Sequence, residues 1–188
     1  MSFSLDVVEW PVRTERLVLR PLGNGDVPKI FAYRSRPEVA EWITSTATDV
    51  ESLAERFGDG ATTVIVEHEG RLIGDLMVRS RDAYAQREVA ERAAGSEAEL
   101  GWTFDPAHQG RGLATEAVRA LIGICFGELG LRRVAAACFT GTEPSWHLME
   151  RVGMRREAHH VADSLHREHG WLDEYVYALL ADEWSRRA

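Results

Sequence analysis

The 188-residue chain carries two cysteines, Cys125 and Cys138, and one lysine, Lys29. Both cysteines lie inside apolar runs, which fits buried thiols in a reducing compartment and argues against a disulfide. Long hydrophobic runs are missing too: no stretch approaches the ~20 apolar residues of a membrane span. The opening MSFSLDVVEWPVRTERLVLR has no charged leader ahead of an apolar block and no cleavage-like site. The expectation is a cytoplasmic protein with no membrane attachment. A basic excess is also lacking. The net charge of −8 argues against a general nucleic-acid binder. No H-E-x-x-H or Cys/His set accompanies the histidines, so no metal is expected. His159, His160, His166 and His169 read as polar-loop residues, with a substrate-side role for one of them as the alternative. Internal repeats and low-complexity tracts do not occur.

What is present describes a single domain over 1–188. The chain is 45% hydrophobic and 28% charged, and long enough to bury a core without staples. RLVLRPL (16–22) alternates as a first strand. Gly23 to Gly25 break it, and Asp26 stands where it can cap a helix through Ile30, Phe31 and Arg34. Pro37 interrupts, a second helix runs from about Asp49 to Phe57, and Gly58-Asp59-Gly60 stops it. TTVIVEH (62–68), a Glu69-Gly70 turn and RLIGDLMV (71–78) make a hairpin. Residues 79–96 are polar and alanine-rich, with Tyr84, Val89 and Ala93 at helical intervals. They read as an inserted helix or mobile loop that shapes specificity or a dimer contact. EAELGWTF (97–104) is the next strand, ended by Asp105-Pro106. From Gly112 a helix of roughly four to five turns puts Leu113, Ala117, Leu121 and Ile124 on one face, with Val118, Ile122, Cys125 and Leu129 beside them, until Gly130 closes it. RRVAAACF (132–139) reads as a buried strand, EPSWHLMERV (143–152) as a short helix, and GMRREAHHV (153–161) as the start of a strand. ADSLHREHG (162–170) reads as a polar loop before a last strand, DEYVYALL (173–180). This order predicts an α/β fold, a mixed sheet with helices on both faces.

The segment HQGRGLATEAV (108–118) places two glycines around Arg111 where the long helix begins, although glycine is a poor helix former. A P-loop needs G-x-x-x-x-G-K-[ST], and that spacing does not occur. The dinucleotide fingerprint needs a glycine or alanine three residues after the second glycine, where Thr115 stands. What remains is Gln109-Gly110-Arg111-Gly112-Leu113-Ala114 between a strand and a helix. Free amides at a helix start suit a pyrophosphate, and glycines let a ligand touch backbone where a Cβ would block it. The side chains of Gln109 and Arg111 can add donors. A plain left-handed turn with no ligand is the alternative. Charge is uneven in the same direction. Between Asp105 and His160 seven arginines (Arg111, Arg119, Arg132, Arg133, Arg151, Arg155, Arg156) face six acids, a net of +1, leaving −9 for the remainder. That suits one anionic ligand here and a surface friendly to cations elsewhere, unless the arginines only decorate helix faces.

Q-G-R-G-L-A after strand and turn resembles the R/Q-x-x-G-x-G/A acetyl-CoA motif of the GNAT N-acetyltransferases. TERLVLRPL, ELGWTFDPAHQGRGLATEAV, SWHLMERVGMRREA and WLDEYVYALLADEW resemble, in order, the opening strand, the strand-loop-helix, the next helix and strand, and the closing strand of the RimJ/RimL-like branch. Together they cover most of the chain except 79–96. The resemblance implies the GNAT acyl-CoA N-acyltransferase fold, a mostly antiparallel sheet of about six to seven strands splayed at its centre. It implies acetyl-CoA as co-substrate, no metal, and a primary amine as acceptor: a protein or peptide N-terminus or a small cationic amine, amine antibiotics included. A homodimer stays open. Pantetheine would lie between the splayed strands like an extra strand, paired with the main chain of Trp102, Thr103 and Phe104. Gln109, Gly110, Arg111, Gly112, Leu113, Ala114 and Thr115 would hold the pyrophosphate. The implied reaction is direct attack by the amine in a ternary complex, with no acyl-enzyme. A different donor such as succinyl-CoA, or a catalytically weak CoA-binding domain, are the rival readings.

Attack requires a neutral amine. An α-amino group (pKa about 7.7–8.0) is partly free base near neutrality, whereas a lysine amine (about 10.4) costs about 4 kcal/mol to deprotonate at pH 7.5. A weak base acting through water therefore suffices for an N-terminus. Glu99 is the candidate, sharing one strand face with Glu97, Gly101 and Thr103; an exposed carboxylate in a salt bridge is the alternative. For the leaving thiolate, many relatives place a tyrosine in the helix that here reads SWHLMERVG, without one. The RimJ/RimL-like branch shows N-x-x-S ahead of this helix, and this chain has Thr142-x-x-Ser145. Ser145 either donates to the thiolate or caps the helix, and Thr142 keeps one hydrogen bond for pantetheine. Cys138 reads as core rather than nucleophile. Trp42, Tyr84 and Trp171 lie where relatives wall the acceptor cleft, or serve as core aromatics.

Overall fold

Hydrophobic alternation puts most of the strands where the sequence places them. The computed structural model describes residues 4–57 and 61–186. Its sheet contains β1 (Val12–Arg13), β2 (Leu17–Pro21), β3 (Ala61–His68), β4 (Arg71–Arg81), β5 (Glu97–Phe104), β6 (Arg133–Phe139), β7 (Arg155–His166) and β8 (Gly170–Leu180). The spatial order is β1-β2-β3-β4-β5-β6-β8-β7. Only β5 and β6 run parallel; every other neighbouring pair is antiparallel. The mixed, mostly antiparallel sheet is as expected, with eight strands instead of six to seven. β1 is a two-residue bridge, too short to leave a periodic signal.

Helices cover both faces. On one, α4 (Leu113–Gly127) buries Leu113, Ala117, Val118, Leu121, Ile122, Ile124 and Cys125. It packs there with Leu148 and Met149 of α5 (Glu143–Arg151) over Leu19, Leu76, Leu100, Val134 and Leu179. Each such Leu or Ile contributes roughly 1.5–3 kcal/mol by leaving water. After α4, Gly130 takes φ 63 and the Leu131 amide returns to the Cys125 carbonyl at 3.0 Å, the left-handed stop the glycine predicts. On the other face Ile30 and Tyr33 of α1 (Val27–Arg34) and Leu53 of α3 (Val50–Arg56) pack on Ile65. A four-residue α2 (Pro37–Ala40) follows α1, and α6 (Ala181–Ser185) follows β8. Among the described residues no helix is long and apolar enough to cross a membrane.

Several local expectations need correction. Asp26 precedes α1 but caps none of its amides. Its carboxylate turns back instead to the Arg20 guanidinium at 2.6 and 2.9 Å and the Gly23 amide at 2.8 Å, because a bidentate charged pair outcompetes a neutral cap. Of the two readings of 79–96 the inserted α-helix falls and the loop stands: β4 continues to Arg81, and Arg87–Arg92 form 3-10 turns within it. Alanine spacing alone does not build a helix without an apolar face to bury. The supposed polar loop 162–170 is mostly strand, with only 167–169 in the turn. β7 is the sheet edge and almost wholly exposed, so it carries no apolar alternation, and bulges near Ala158 and between His160 and Ser164 blunt that edge. Asp49 does cap α3, through the Ser52 amide at 2.7 Å. The Gly58-Asp59-Gly60 stop lies outside the described residues.

Gly74 pairs with Phe104, and a Cβ there would meet the Thr103 carbonyl oxygen and the Phe104 ring, each at 2.8 Å or closer. Gly74→Ala is therefore expected to cost about 1–3 kcal/mol, read as a lowered denaturation midpoint at unchanged m-value. Acid stability has a second determinant. The Arg20 fork holds the buried Asp26 carboxyl below its ordinary range, against the opposing effect of burial. That contribution is complete above the unfolded value of about 3.9 and fades as pH falls through the lower folded value. Asp26→Asn should lose stability at pH 7 while flattening the pH dependence below about 4 in urea titrations.

Candidate active site

β5 and β6 pair only at Glu97 with Arg133, Ala98 with Val134 and Glu99 with Ala135. Beyond those three rungs β5 stays with β4 as far as Phe104, and β6 stays with β8 as far as Phe139, so the two parallel strands diverge. The closed end of this fork is clamped by charge: the Glu97 carboxylate accepts from Arg132 and, at 3.0 Å, from Arg133. At the open end the direction of the main chain can be read from the ladder. The Asp105 amide donates to the Ile73 carbonyl at 2.9 Å. Alternation along an antiparallel strand then turns Thr103 toward β4 and leaves the peptide groups of Trp102 and Phe104 facing the gap. Of the three residues expected to offer main chain, Trp102 and Phe104 are so placed. Thr103 lines the cleft but its peptide groups belong to the sheet.

A short 3-10 turn, Pro106–His108, leads from β5 to the glycine pair. Gly110 and Gly112 both adopt left-handed conformations, φ 73 and 75, which explains why glycine stands at each. No side chain caps α4 at Gly112, so the first helix amides stay available at the positive end of its dipole. A Cβ on Gly110 would meet nothing within 4 Å.

Fork and loop open into one cleft of about 1750 Å³, lined among others by Glu99, Trp102, Gly110, Gly112, Thr142 and Ser145. A pocket for one small ligand measures roughly 300–1,000 Å³, so this one has room for a donor and an acceptor. Thr142 Oγ1 is buried with no hydrogen-bond partner among the described residues, a state that normally marks a missing partner. Gln109, Leu113, Ala114 and Thr115 also line the cleft; Arg111 does not, and its carbonyl instead accepts from Arg16 at 3.0 Å. Ser145 is the third residue of α5 rather than its cap, so the capping alternative falls away. Its hydroxyl meets the Cys138 thiol, whose pKa burial raises to about 11 and Ser145 draws back slightly. That thiol stays protonated near neutrality, in keeping with a core role, as does Cys125, pushed up to about 12 by burial. Both cysteines are free.

Glu99 lies on the cleft face and sits 3.7 Å from Arg81, the salt bridge that its alternative reading named. Beyond it stands a wall joining two distant segments. His166 accepts the Glu168 and His169 amides on Nδ1 at 3.1 and 3.2 Å, which puts its proton on Nε2, 2.8 Å from the Glu41 carbonyl. Arg167 donates to the carbonyls of Ala40 and, at 2.6 Å, Ile43. Trp42 packs between them, 5.3 Å from the His166 ring and 6.2 Å from Phe139. Tyr84 and Trp171 are exposed and line neither wall nor core. Asp75 and Arg34 also line the cleft; the buried Asp75 carboxylate takes the Tyr33 hydroxyl and the Arg34 fork, and burial with that charge raises the Tyr33 pKa. His160, Asp163 and Glu174 bring ligand-type atoms within 4.8 Å of one another, but His160 and Asp163 are open to solvent.

The family profile described as Acetyltransferase (GNAT) domain matches residues 16–155. The uncharacterized N-acetyltransferase YnaD of Bacillus subtilis strain 168 is 31% identical over 180 residues, covering 93% of this chain and 99% of that protein. Two solved structures share the fold. Spermidine N-acetyltransferase from Vibrio cholerae, in complex with CoA and spermine, has a TM-score of 0.76 at 20% identity, covering 92% of this chain and 99% of its own. Ribosomal-protein-S5-alanine acetyltransferase from Vibrio fischeri has a TM-score of 0.74 at 19% identity, covering 94% and 99%.

Aspartate tolerates the left-handed conformation better than branched residues, so Gly110→Asp should fold. Its carboxylate would stand in the glycine loop at the head of α4. Calorimetry is expected to show CoA affinity reduced at least tenfold, with the melting temperature lowered by only a few degrees; unchanged affinity would mean the loop holds no phosphate.

Proposed function

The chain belongs to the GNAT acetyltransferases, and from that premise we propose that it moves the acetyl group of acetyl-CoA to a primary amine by direct attack. The observation that supports this most is the continuity of one cleft, from uncapped helix amides through a forked sheet to a carboxylate. The residues fit the group. Gln109 to Thr115 take the pyrophosphate, pantetheine runs along β5 against Trp102 and Phe104, and the unpaired Thr142 hydroxyl meets one of its polar atoms. Arg111 contributes through backbone.

The acceptor nitrogen then forms a bond to the thioester carbon, and charge gathers on the carbonyl oxygen, where an amide hydrogen at the fork stabilises it. The carbon–sulfur bond breaks with its electron pair on sulfur. Glu99 takes the amine proton through water, and Ser145 donates a hydrogen bond to the thiolate until the proton reaches it. The free thiol and the amide are the products. A weak carboxylate base favours an amine that is already partly neutral, hence an α-amino group over a protein lysine, while the acidic remainder of the chain supports a small cationic amine as the other acceptor class. The two solved enzymes named above act on one substrate of each kind, and at their identities they speak for the fold alone.

Thiol release from acetyl-CoA should rise with peptides bearing free α-amino groups or with polyamines or aminoglycosides, and succinyl-CoA should not replace the donor. Equal turnover with succinyl-CoA would overturn the choice of acyl group, and acetylation confined to lysine side chains would overturn the acceptor. Glu99→Gln should lower kcat about a hundredfold near pH 7 while leaving KM for acetyl-CoA in place, the deficit shrinking as pH approaches the amine's own pKa. An unchanged kcat would remove Glu99 from the mechanism.

A further inference from the structure

Glu116 stands in the first turn of α4, the acid nearest the glycine loop on that helix. There it favours the helix but repels a phosphate. Its carboxylate is fully engaged elsewhere. One oxygen accepts the Thr14 hydroxyl at 2.6 Å and the Arg16 amide at 2.9 Å, and the other accepts Arg16 Nε at 2.7 Å and pairs with the terminal guanidinium nitrogen at 2.7 Å. Burial works against its charge, yet these donors hold the carboxyl below its ordinary range. Arg16 reaches one step further, donating at 3.0 Å to the carbonyl of Arg111 inside the loop. The C=O of Arg111 and the N–H of Gly112 share one planar peptide and point in opposite directions. Holding the carbonyl toward Arg16 therefore fixes the Gly112 N–H away from it.

We propose that Thr14, Arg16 and Glu116 form a strut, carried by the chain between β1 and β2, that presets the Arg111-Gly112 peptide and cancels the negative charge of α4's first turn so that a pyrophosphate can dock. These are positioning residues, and the inference rests on the acetyl-CoA reading above. The strut makes the donor site depend on a segment about a hundred residues upstream of the glycines.

Calorimetry with CoA on the wild-type chain and its variants, with melting temperatures alongside, separates the possibilities. Arg16→Ala removes the counter-charge of Glu116, leaving it only the Thr14 hydroxyl and the main-chain amide of residue 16, and should weaken CoA on the order of tenfold, raising KM for acetyl-CoA equally with kcat changed by less than about twofold. Arg16→Lys keeps the charge but cannot fork between Glu116 and the Arg111 carbonyl, so it should restore only part of the affinity. Adding Glu116→Gln to Arg16→Ala should recover part of the loss by removing the bare charge. Wild-type affinity in both single variants would overturn the strut while the acetyl-CoA reading stands. No recovery in the double variant would overturn its charge-cancelling role. A wild-type chain that binds no CoA would overturn both. Should Arg16→Ala fail to fold, Arg16→Lys and Thr14→Val carry the same comparison.

Discussion

Two parallel strands that stop pairing after three rungs set the terms for the rest of this molecule. A parallel pair broken inside a sheet exposes peptide groups that demand partners, and the fold tolerates this because β4 and β8 hold the outer edges of the diverging strands along their length. The closed end is pinned by Glu97 with Arg132 and Arg133, and Arg133 continues the chain of charge to Glu157 of β7. Divergence is thereby confined to one end, where β5 hands over to the glycine loop and α4.

The two faces of the sheet then divide the labour. On the α4 face, the helix start is uncapped and its first-turn acid, Glu116, is neutralised by Arg16. On the other, the hairpin turn at 167–169 is latched to residues 40–43 and encloses the space in front of Glu99.

Much of the fold was legible because its central elements carry strong periods. β5 has the bounds that EAELGWTF gives, and α4 buries the apolar stripe counted along it except Leu129, which lies past its end and is partly buried. The glycine pair was legible as a left-handed loop because few other residues accept φ near 75. The start of edge strand β7 was legible in GMRREAHHV, but its continuation to His166 was not, since an almost wholly exposed strand has no reason to alternate. Thr14 and Arg16 lie within the TERL stretch that reads as an opening strand. Their role could not be seen, because the partner, Glu116, is adjacent only after the sheet folds. Ser145 and Thr142 show the same limit from the other side. A serine near a helix start looks like a cap until the helix is found to begin two residues earlier.

Amide hydrogen exchange resolved by residue tests the fork most directly. Saturating CoA should slow exchange at Trp102 and Phe104, whose amides face the gap, and at Leu113 to Thr115 at the head of α4, while Thr103 and Asp105, already bonded to β4, stay as they are. Protection absent from Trp102 and Phe104, or gathered instead on the exposed edge of β7, would contradict the account.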